Sequence, residues 1–242
     1  MIKRLIVYGL LAICATWVFT TKAELLPPVG QSPQRQETEI LIVANPINPL
    51  NPVVRNPYQD EYERILYPTV RITAGFSTGS GVVISHTQTY ILTAAHVVED
   101  ENTVNIELYD STVMTATVVI TDTIRDLALI KPTGLVSYSA HLAPRKYTPY
   151  LFTPVWAIGC SLGLPPRPSQ GIISVINEDH WEITAPILPG NSGGPVYDAR
   201  TYEVIGIAVW VKTYQGQLVT TMAGIVPINQ IYQFLEGYKR LQ

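Results

Sequence analysis

Three side chains in this sequence, His96, Asp126 and Ser192, have the types and settings needed to break an acyl bond. Ser192 stands in Gly190-Asn191-Ser192-Gly193-Gly194-Pro195, a hydroxyl set among glycines that reach positive φ without steric cost. A serine hydroxyl is a poor nucleophile until a base removes its proton, and the oxyanion formed by its attack needs donors already in place. The turn can supply them as the backbone N–H groups of Gly190 and Ser192, with Asn191 shaping the loop. His96 ends the run Tyr90-Ile91-Leu92-Thr93-Ala94-Ala95-His96, and Asp126 opens Asp126-Leu127-Ala128-Leu129-Ile130. A carboxylate at the mouth of an apolar strand is partly buried and needs a partner. Each residue alone also reads as an inert surface histidine, strand-edge aspartate or glycine-serine turn. Together, in the order His, Asp, Ser, they point to a nucleophile, its base and the acid that orients the base.

A second hydrolase geometry competes for the serine. Gly190-Asn191-Ser192-Gly193-Gly194 also fits the Gly-x-Ser-x-Gly elbow of α/β-hydrolases, where a helix follows the serine and the histidine comes last in the chain. All four histidines here (His86, His96, His141 and His180) precede Ser192, and Pro195-Val196-Tyr197 reads as an extended exit. The elbow is therefore excluded.

The elements that must hold these groups read as short strands punctuated by Gly, Pro and Asn-Asp. A first set spans Thr69–Ala74, Gly81–Ile84, Tyr90–Thr93, Val104–Leu108, Thr115–Thr121 and Leu127–Lys131. A second spans Val155–Ile158, Gly171–Ile176, Trp181–Thr184, Pro195–Tyr197, Glu203–Val211 and Gln217–Ile225. Two sets of six predict an all-β fold of two six-stranded antiparallel β-barrels with the site in the crevice between them. His96 and Asp126 then come from the first barrel and Ser192 from the second. Ile228, Ile231, Tyr232 and Leu235 are spaced as one face of a C-terminal helix.

Composition narrows the class. The chain has 242 residues, 47% of them hydrophobic and 14% charged, enough to bury a sizeable core. A net charge of −3 with no dense basic run argues against a nucleic-acid partner. Fourteen tyrosines, with many Val, Ile and Thr, favour strands. Lys3 and Arg4 followed by 17 uncharged residues, Leu5 to Thr21, read as an export leader over residues 1–23. The run serves equally as a cleaved signal peptide or as a membrane anchor. Residues 24–66 read as an arm or linker, with seven prolines before Tyr58 that include four Asn-Pro pairs. Its Ile40-Leu41-Ile42-Val43 suits docking on the body or on a neighbouring subunit. Without the leader, Cys160 is the only cysteine, so the exported domain folds without an internal disulfide and Cys160 reads as a buried thiol.

These motifs resemble those of the trypsin-like serine proteases, and within them the bacterial HtrA/Deg group, over about residues 67–242. Gly79-Ser80-Gly81-Val82-Val83-Ile84 resembles the family's first glycine-bounded hairpin, Thr93-Ala94-Ala95-His96 its histidine motif, and Asp126-Leu127-Ala128-Leu129-Ile130 its aspartate motif. Ala157-Ile158-Gly159, with Gly171-Ile172-Ile173-Ser174, resembles a segment typical of the HtrA/Deg group. The resemblance implies an exported, periplasmic or outward-facing endopeptidase. It would act on proteins or peptides through an acyl-enzyme, with no metal or cofactor, in envelope protein quality control or processing. It also implies oligomerisation through the arm; many members carry a PDZ domain after the protease, but with Gln242 following directly on the terminal helix a protease domain without one is expected here. The rival expectation is an inactive protease fold used as a binding or scaffold module.

Two departures from animal trypsins are visible. Asn191 stands where those enzymes carry an aspartate that pairs with a freshly cut N-terminus, and no Ile-Val-Gly-Gly activation sequence is present. Pro186 stands where trypsin holds the acid that binds Lys or Arg. With Ile187, Leu188 and the wall Ala208, Val209 and Trp210, it predicts a pocket for a small or medium apolar side chain.

Overall fold

The computed structural model describes residues 58–85 and 88–239. The leader, the proline-rich stretch and His86 lie outside the described residues. Gln59–Glu61 and Tyr62–Leu66 form a short helical turn, and Ile65 on it is buried in the core, 4% exposed. Residues 58–66 thus belong to the packed body.

The first six strands are β1 (Thr69–Ala74), β2 (Ser77–Ser85), β3 (Thr89–Thr93), β4 (Thr103–Glu107), β5 (Val113–Asp122) and β6 (Leu127–Pro132). They close into an antiparallel barrel in the order β1-β2-β3-β6-β5-β4. The second six are β7 (Pro154–Gly159), β8 (Arg167–Ile176), β9 (Trp181–Ile183), β10 (Pro195–Asp198), β11 (Val204–Tyr214) and β12 (Gln217–Pro227). They close in the order β10-β11-β12-β9-β8-β7. The two six-stranded barrels expected from the sequence are the fold. Closure leaves neither of these two sheets with a free edge among the described residues.

Several strands run beyond their apolar cores. In β2 the ladder continues onto Ser77 and Thr78, paired with Ala74 and Thr73, because main-chain pairing does not depend on side-chain polarity. The barrel interiors are filled by aliphatic side chains such as Ile72, Leu92 and Leu129 in one, and Ile158, Ile183 and Ile205 in the other, all almost fully buried. Each contributes roughly 1.5–3 kcal/mol relative to exposure. Cys160 is fully buried, and burial pushes its thiol up to about 11. The C-terminal helix, Ile228–Lys239, buries Ile228, Ile231 and Phe234, while Tyr232 and Leu235 are half-buried. The face it presents to the core is thus rotated towards Phe234 relative to the sequence pattern.

Strand register brings the first two candidate groups together. β3 and β6 are antiparallel neighbours with Thr93 opposite Ala128. His96 lies just past the end of β3 and Asp126 just before the start of β6, so both emerge at the same rim. Ser192 lies just ahead of β10, whose neighbours are β11 and β7.

Candidate active site

His96 sits in a single 3₁₀ turn, Ala95–Val97, after β3. Asp126 grips it at two points. The backbone N–H of His96 donates to Asp126 Oδ1 at 3.0 Å, and ring Nδ1 lies 2.7 Å from Oδ2. Reaching both points places Asp126 at φ +56°, a left-handed conformation that aspartate tolerates better than most residues. Burial alone raises the Asp126 carboxyl, but the two hydrogen bonds from His96 and the charge of its ring outweigh it, and the carboxyl lies below its ordinary value. An ionised carboxylate only accepts, so Nδ1 carries the proton and Nε2 is left as the ring's basic nitrogen. The hydrogen bond to Asp126 also raises the His96 pKa. Burial opposes this, and the negative charges of Asp126 and Glu99 add to it.

The serine loop comes to the histidine through backbone packing. Gly193 lies against the residues just before His96: a side chain there would meet Thr93 Oγ1 at 2.2 Å and Ala94 N at 2.8 Å. Only glycine permits that approach, and its φ of +81° is also a glycine conformation. The carbonyl of Ser192 accepts from Ser80 N at 2.8 Å, and Gly193 N and Ala208 O meet at 2.7 Å. Among the described residues no hydrogen bond joins the Ser192 hydroxyl to the His96 ring. In free enzymes such contacts are often long and tighten once substrate is bound.

The loop's hydrogen bonds account for nearly all of its peptide groups. The carbonyls of Pro189, Asn191 and Ser192 accept from Leu162 N, Gly194 N and Ser80 N at 2.7, 2.9 and 2.8 Å. The carbonyl of Gly190 accepts from Ser80 Oγ at 2.7 Å. Asn191 N donates to Leu188 O at 3.0 Å, closing a turn in which Gly190 has φ +95°. Two N–H groups remain, those of Gly190 and Ser192, and neither donates to a group among the described residues. Because N–H and C=O of a trans peptide point in opposite directions, tying the Pro189 carbonyl to Leu162 turns the Gly190 N–H away from that loop. Asn191 is 3% exposed, and its Oδ1 accepts from Ser161 Oγ at 2.6 Å. Its side chain braces the loop from behind.

The sequence-predicted wall residues divide. Ala208 is tied to the loop by two backbone hydrogen bonds, Gly193 N to Ala208 O and Ala208 N to Gly194 O. Ile187, 3% exposed, is fixed by its N–H to Thr220 O at 2.8 Å, and Val209 is 9% exposed. Pro186 is exposed, with its carbonyl accepting from Ser169 Oγ. Trp210 follows a register shift in β11, and its indole lies over Gly224, with the His180 ring 5.8 Å away. Sequence reasoning missed Ser80, which hydrogen-bonds the loop twice, to the carbonyls of Gly190 and Ser192. The signal was a small polar residue between two glycines in a strand otherwise bound for the core.

A cavity of about 770 Å³ adjoins the pair on its outer side, lined by His96, Asp126, Glu99, Asp100, Glu101 and Thr121 among others. No group of three or more His, Cys, Asp or Glu side chains with metal-binding geometry occurs among the described residues.

Comparison with known proteins identifies the family. Residues 79–207 match the family described as the trypsin-like peptidase domain. HhoB of Synechocystis sp., named as a serine protease, is 35% identical over 153 residues, covering 56% of this chain and 35% of HhoB. A DegP-like protein of Pseudomonas fluorescens, named as a periplasmic serine endoprotease, is 34% identical over 154 residues, covering 58% of this chain and 30% of its own. The solved structure of the HtrA-type protease AlgW with a tripeptide superposes with a TM-score of 0.66 at 25% identity, covering 75% of this chain and 63% of that one. The chain spans about a third of the length of these two curated relatives.

Proposed function

Because the chain belongs to the trypsin-like peptidase family, within its HtrA/DegP group, we propose that it is a serine endopeptidase that cleaves peptide bonds through an acyl-enzyme. The observation that carries the reading is the hydrogen-bond pattern of the serine loop. Its peptide groups are satisfied except for two N–H donors, on Gly190 and on the residue bearing the hydroxyl.

In this reading Ser192 Oγ attacks the scissile carbonyl while His96 Nε2 takes its proton. Asp126 holds Nδ1–H and stabilises the imidazolium without becoming protonated. The N–H groups of Gly190 and Ser192 bind the oxyanion, and His96 then returns the proton to the leaving amine. Water repeats the sequence on the ester and releases the acid. Ile187, Ala208 and Val209, all buried and apolar, suit a small or medium apolar side chain before the cleaved bond. The names of the relatives and the apolar leader in the sequence favour an extracytoplasmic setting. Protein substrates, envelope quality control or processing, and assembly through the arm belong to the same reading.

The test is labelling with a fluorophosphonate and hydrolysis of casein. The wild-type protein reacts in both, while Ser192→Ala and His96→Ala lose both and stay folded. Undiminished casein cleavage by Ser192→Ala would overturn the reading. A wild-type protein that neither labels nor cleaves would make it a binding module on a protease fold.

A further inference from the structure

Ser80 is fully buried on β2 of the first barrel, yet all its polar groups serve the other barrel or the segment leading to His96. Its hydroxyl donates to the carbonyl of Gly190 at 2.7 Å and accepts from Cys160 N at 2.8 Å. Its N–H donates to the carbonyl of Ser192 at 2.8 Å. Its carbonyl accepts from Thr93 Oγ1 at 2.6 Å, three residues before His96. Around this side chain there is no slack. A Cβ on Gly193 would come within 2.3 Å of Ser80 O, and one on Gly194 within 3.2 Å of Ser80 Cβ.

From this we infer that Ser80 is the positioning residue of the oxyanion loop, holding from the first barrel the Gly190-Asn191 and Ser192-Gly193 peptides on either side of the peptide that carries the free Ser192 N–H, and so keeping that N–H and the Gly190 N–H free. The Gly190 carbonyl is the sensitive point. In a Pro-Gly turn the peptide groups can rotate in concert without moving the chain ends, because glycine accepts both signs of φ. Such a rotation would consume or misdirect the free donors. Ser80 Oγ holds the Gly190 carbonyl against it, while Leu162 N holds the preceding one. The same hydroxyl donates its one proton to Gly190 O and accepts from Cys160 N–H on a lone pair. The loop after β7 and the loop before β10 are thereby fixed to one atom. The inference rests on the serine endopeptidase reading, in which those N–H groups bind the oxyanion.

The test is Ser80→Ala, compared with Ser80→Cys, which keeps the side chain's shape with a weaker donor, and with Tyr147→Phe. The last removes a comparable internal hydrogen bond, Tyr147 Oη to Asp198 Oδ2 at 2.6 Å, away from the loop. Loss of a whole oxyanion donor lowers rate by about 10²–10³-fold, and loosening the loop is expected to cost about ten- to a hundredfold in kcat with KM little changed. Binding of a peptide boronate, which forms a tetrahedral adduct on the serine, should weaken in parallel with kcat/KM. Binding of the matching product peptide should stay within about twofold, with Ser80→Cys between wild type and Ser80→Ala. Tyr147→Phe should lose thermal stability and keep kcat. If Ser80→Ala lowers Tm but leaves kcat and boronate binding at wild-type levels, Ser80 is structural only and the inference fails. If Ser80→Ala does not fold, a Ser80→Cys with wild-type kcat and boronate binding overturns it equally. A wild-type protein inert to fluorophosphonate would instead remove the endopeptidase reading itself.

Discussion

Asp126 holds His96 by both of its oxygens, one on the backbone N–H at 3.0 Å and one on ring Nδ1 at 2.7 Å. The first bond fixes where the residue sits and the second fixes which ring nitrogen carries the proton. Asp126→Asn keeps the shape but presents an amide whose NH₂ can face Nδ1 and force the wrong tautomer. The expected result is a fall in kcat of about 10³–10⁴-fold with the fold retained. Steady-state kinetics with circular dichroism on the same preparation check it. A loss below tenfold would remove Asp126 from the mechanism.

The same pair sets the pH dependence. As the base, His96 must be neutral, so kcat/KM rises as pH passes its raised pKa, and the acid limb is expected above the ordinary value of 6.5. Glu99→Gln removes one negative charge that favours the imidazolium, and should move that limb to lower pH without abolishing activity. The stability contributions run differently. That of His96, whose folded pKa is raised, is present below 6.5 and is lost as pH rises through the folded value. That of Asp126, whose folded pKa is lowered, is present above the ordinary carboxylate value of 3.8 and is lost as pH falls through the folded value. The pair therefore stabilises the fold most between these limits, where the base is protonated and idle. Thermal melts and kcat/KM across pH 4–9 should diverge accordingly, and a coincident rise of both towards high pH would contradict the assignment.

Gly190 is expected to tolerate no side chain. Its φ of +95° disfavours any L-residue, and a Cβ would lie 2.4 Å from Cys160 O and 3.0 Å from Leu162 N, both backbone atoms. The loop must turn to relieve the clash, and the Gly190 N–H turns with it. Gly190→Ala should lower kcat/KM by about 10²-fold or more and cost roughly 1–3 kcal/mol in stability. Fluorophosphonate labelling rates and chemical denaturation measure the two effects. Unchanged labelling would show that this N–H is not an oxyanion donor.

The barrels were legible because each strand alternates or runs apolar between clear breakers, as in Thr69–Ala74 and Leu127–Pro132, and His96, Asp126 and Ser192 each sit at a strand end. What sequence could not show depends on packing between segments distant in the chain. Ser80 reads as one more small residue in a glycine-rich hairpin, and its role appears only when Gly190, Cys160 and Ser192 are folded against it. Ile65 looked like the tail of a linker because its helical turn is too short to carry a period. Phe234 joined the core in place of a fully buried Leu235 because the helix is rotated by what it packs on. Trp210 reads as a pocket wall, and the register shift between Ala208 and Trp210 that seats its indole over Gly224 is a pairing irregularity no local pattern announces.

The indole over Gly224 gives the last prediction. Gly224 is paired with Trp210 on one side and with Glu182 on the other, so its backbone cannot yield. The indole occupies the space of a side chain there, with Cε2 only 1.9 Å from where a Cβ would stand. Gly224→Ala must therefore displace the ring. The ring is flanked by Lys212, whose Nζ lies 6.0 Å from its centre and binds both oxygens of Glu182 at 2.7 and 3.0 Å. Glu182 has a side chain only 8% exposed, so displacing the ring beside Lys212 disturbs a nearly buried carboxylate held by that ammonium. A stability loss of about 1–3 kcal/mol is expected, as for other overpacked sites, with a red shift in tryptophan emission that is absent when Gly224→Ala is made on a Trp210→Phe background. If Trp210 also forms part of the substrate wall, the displacement raises KM and spares kcat, because ground-state and transition-state binding are lost together. An unchanged KM with the emission shift present would confine Trp210 to packing beside Lys212, leaving Ile187, Ala208 and Val209 as the apolar wall.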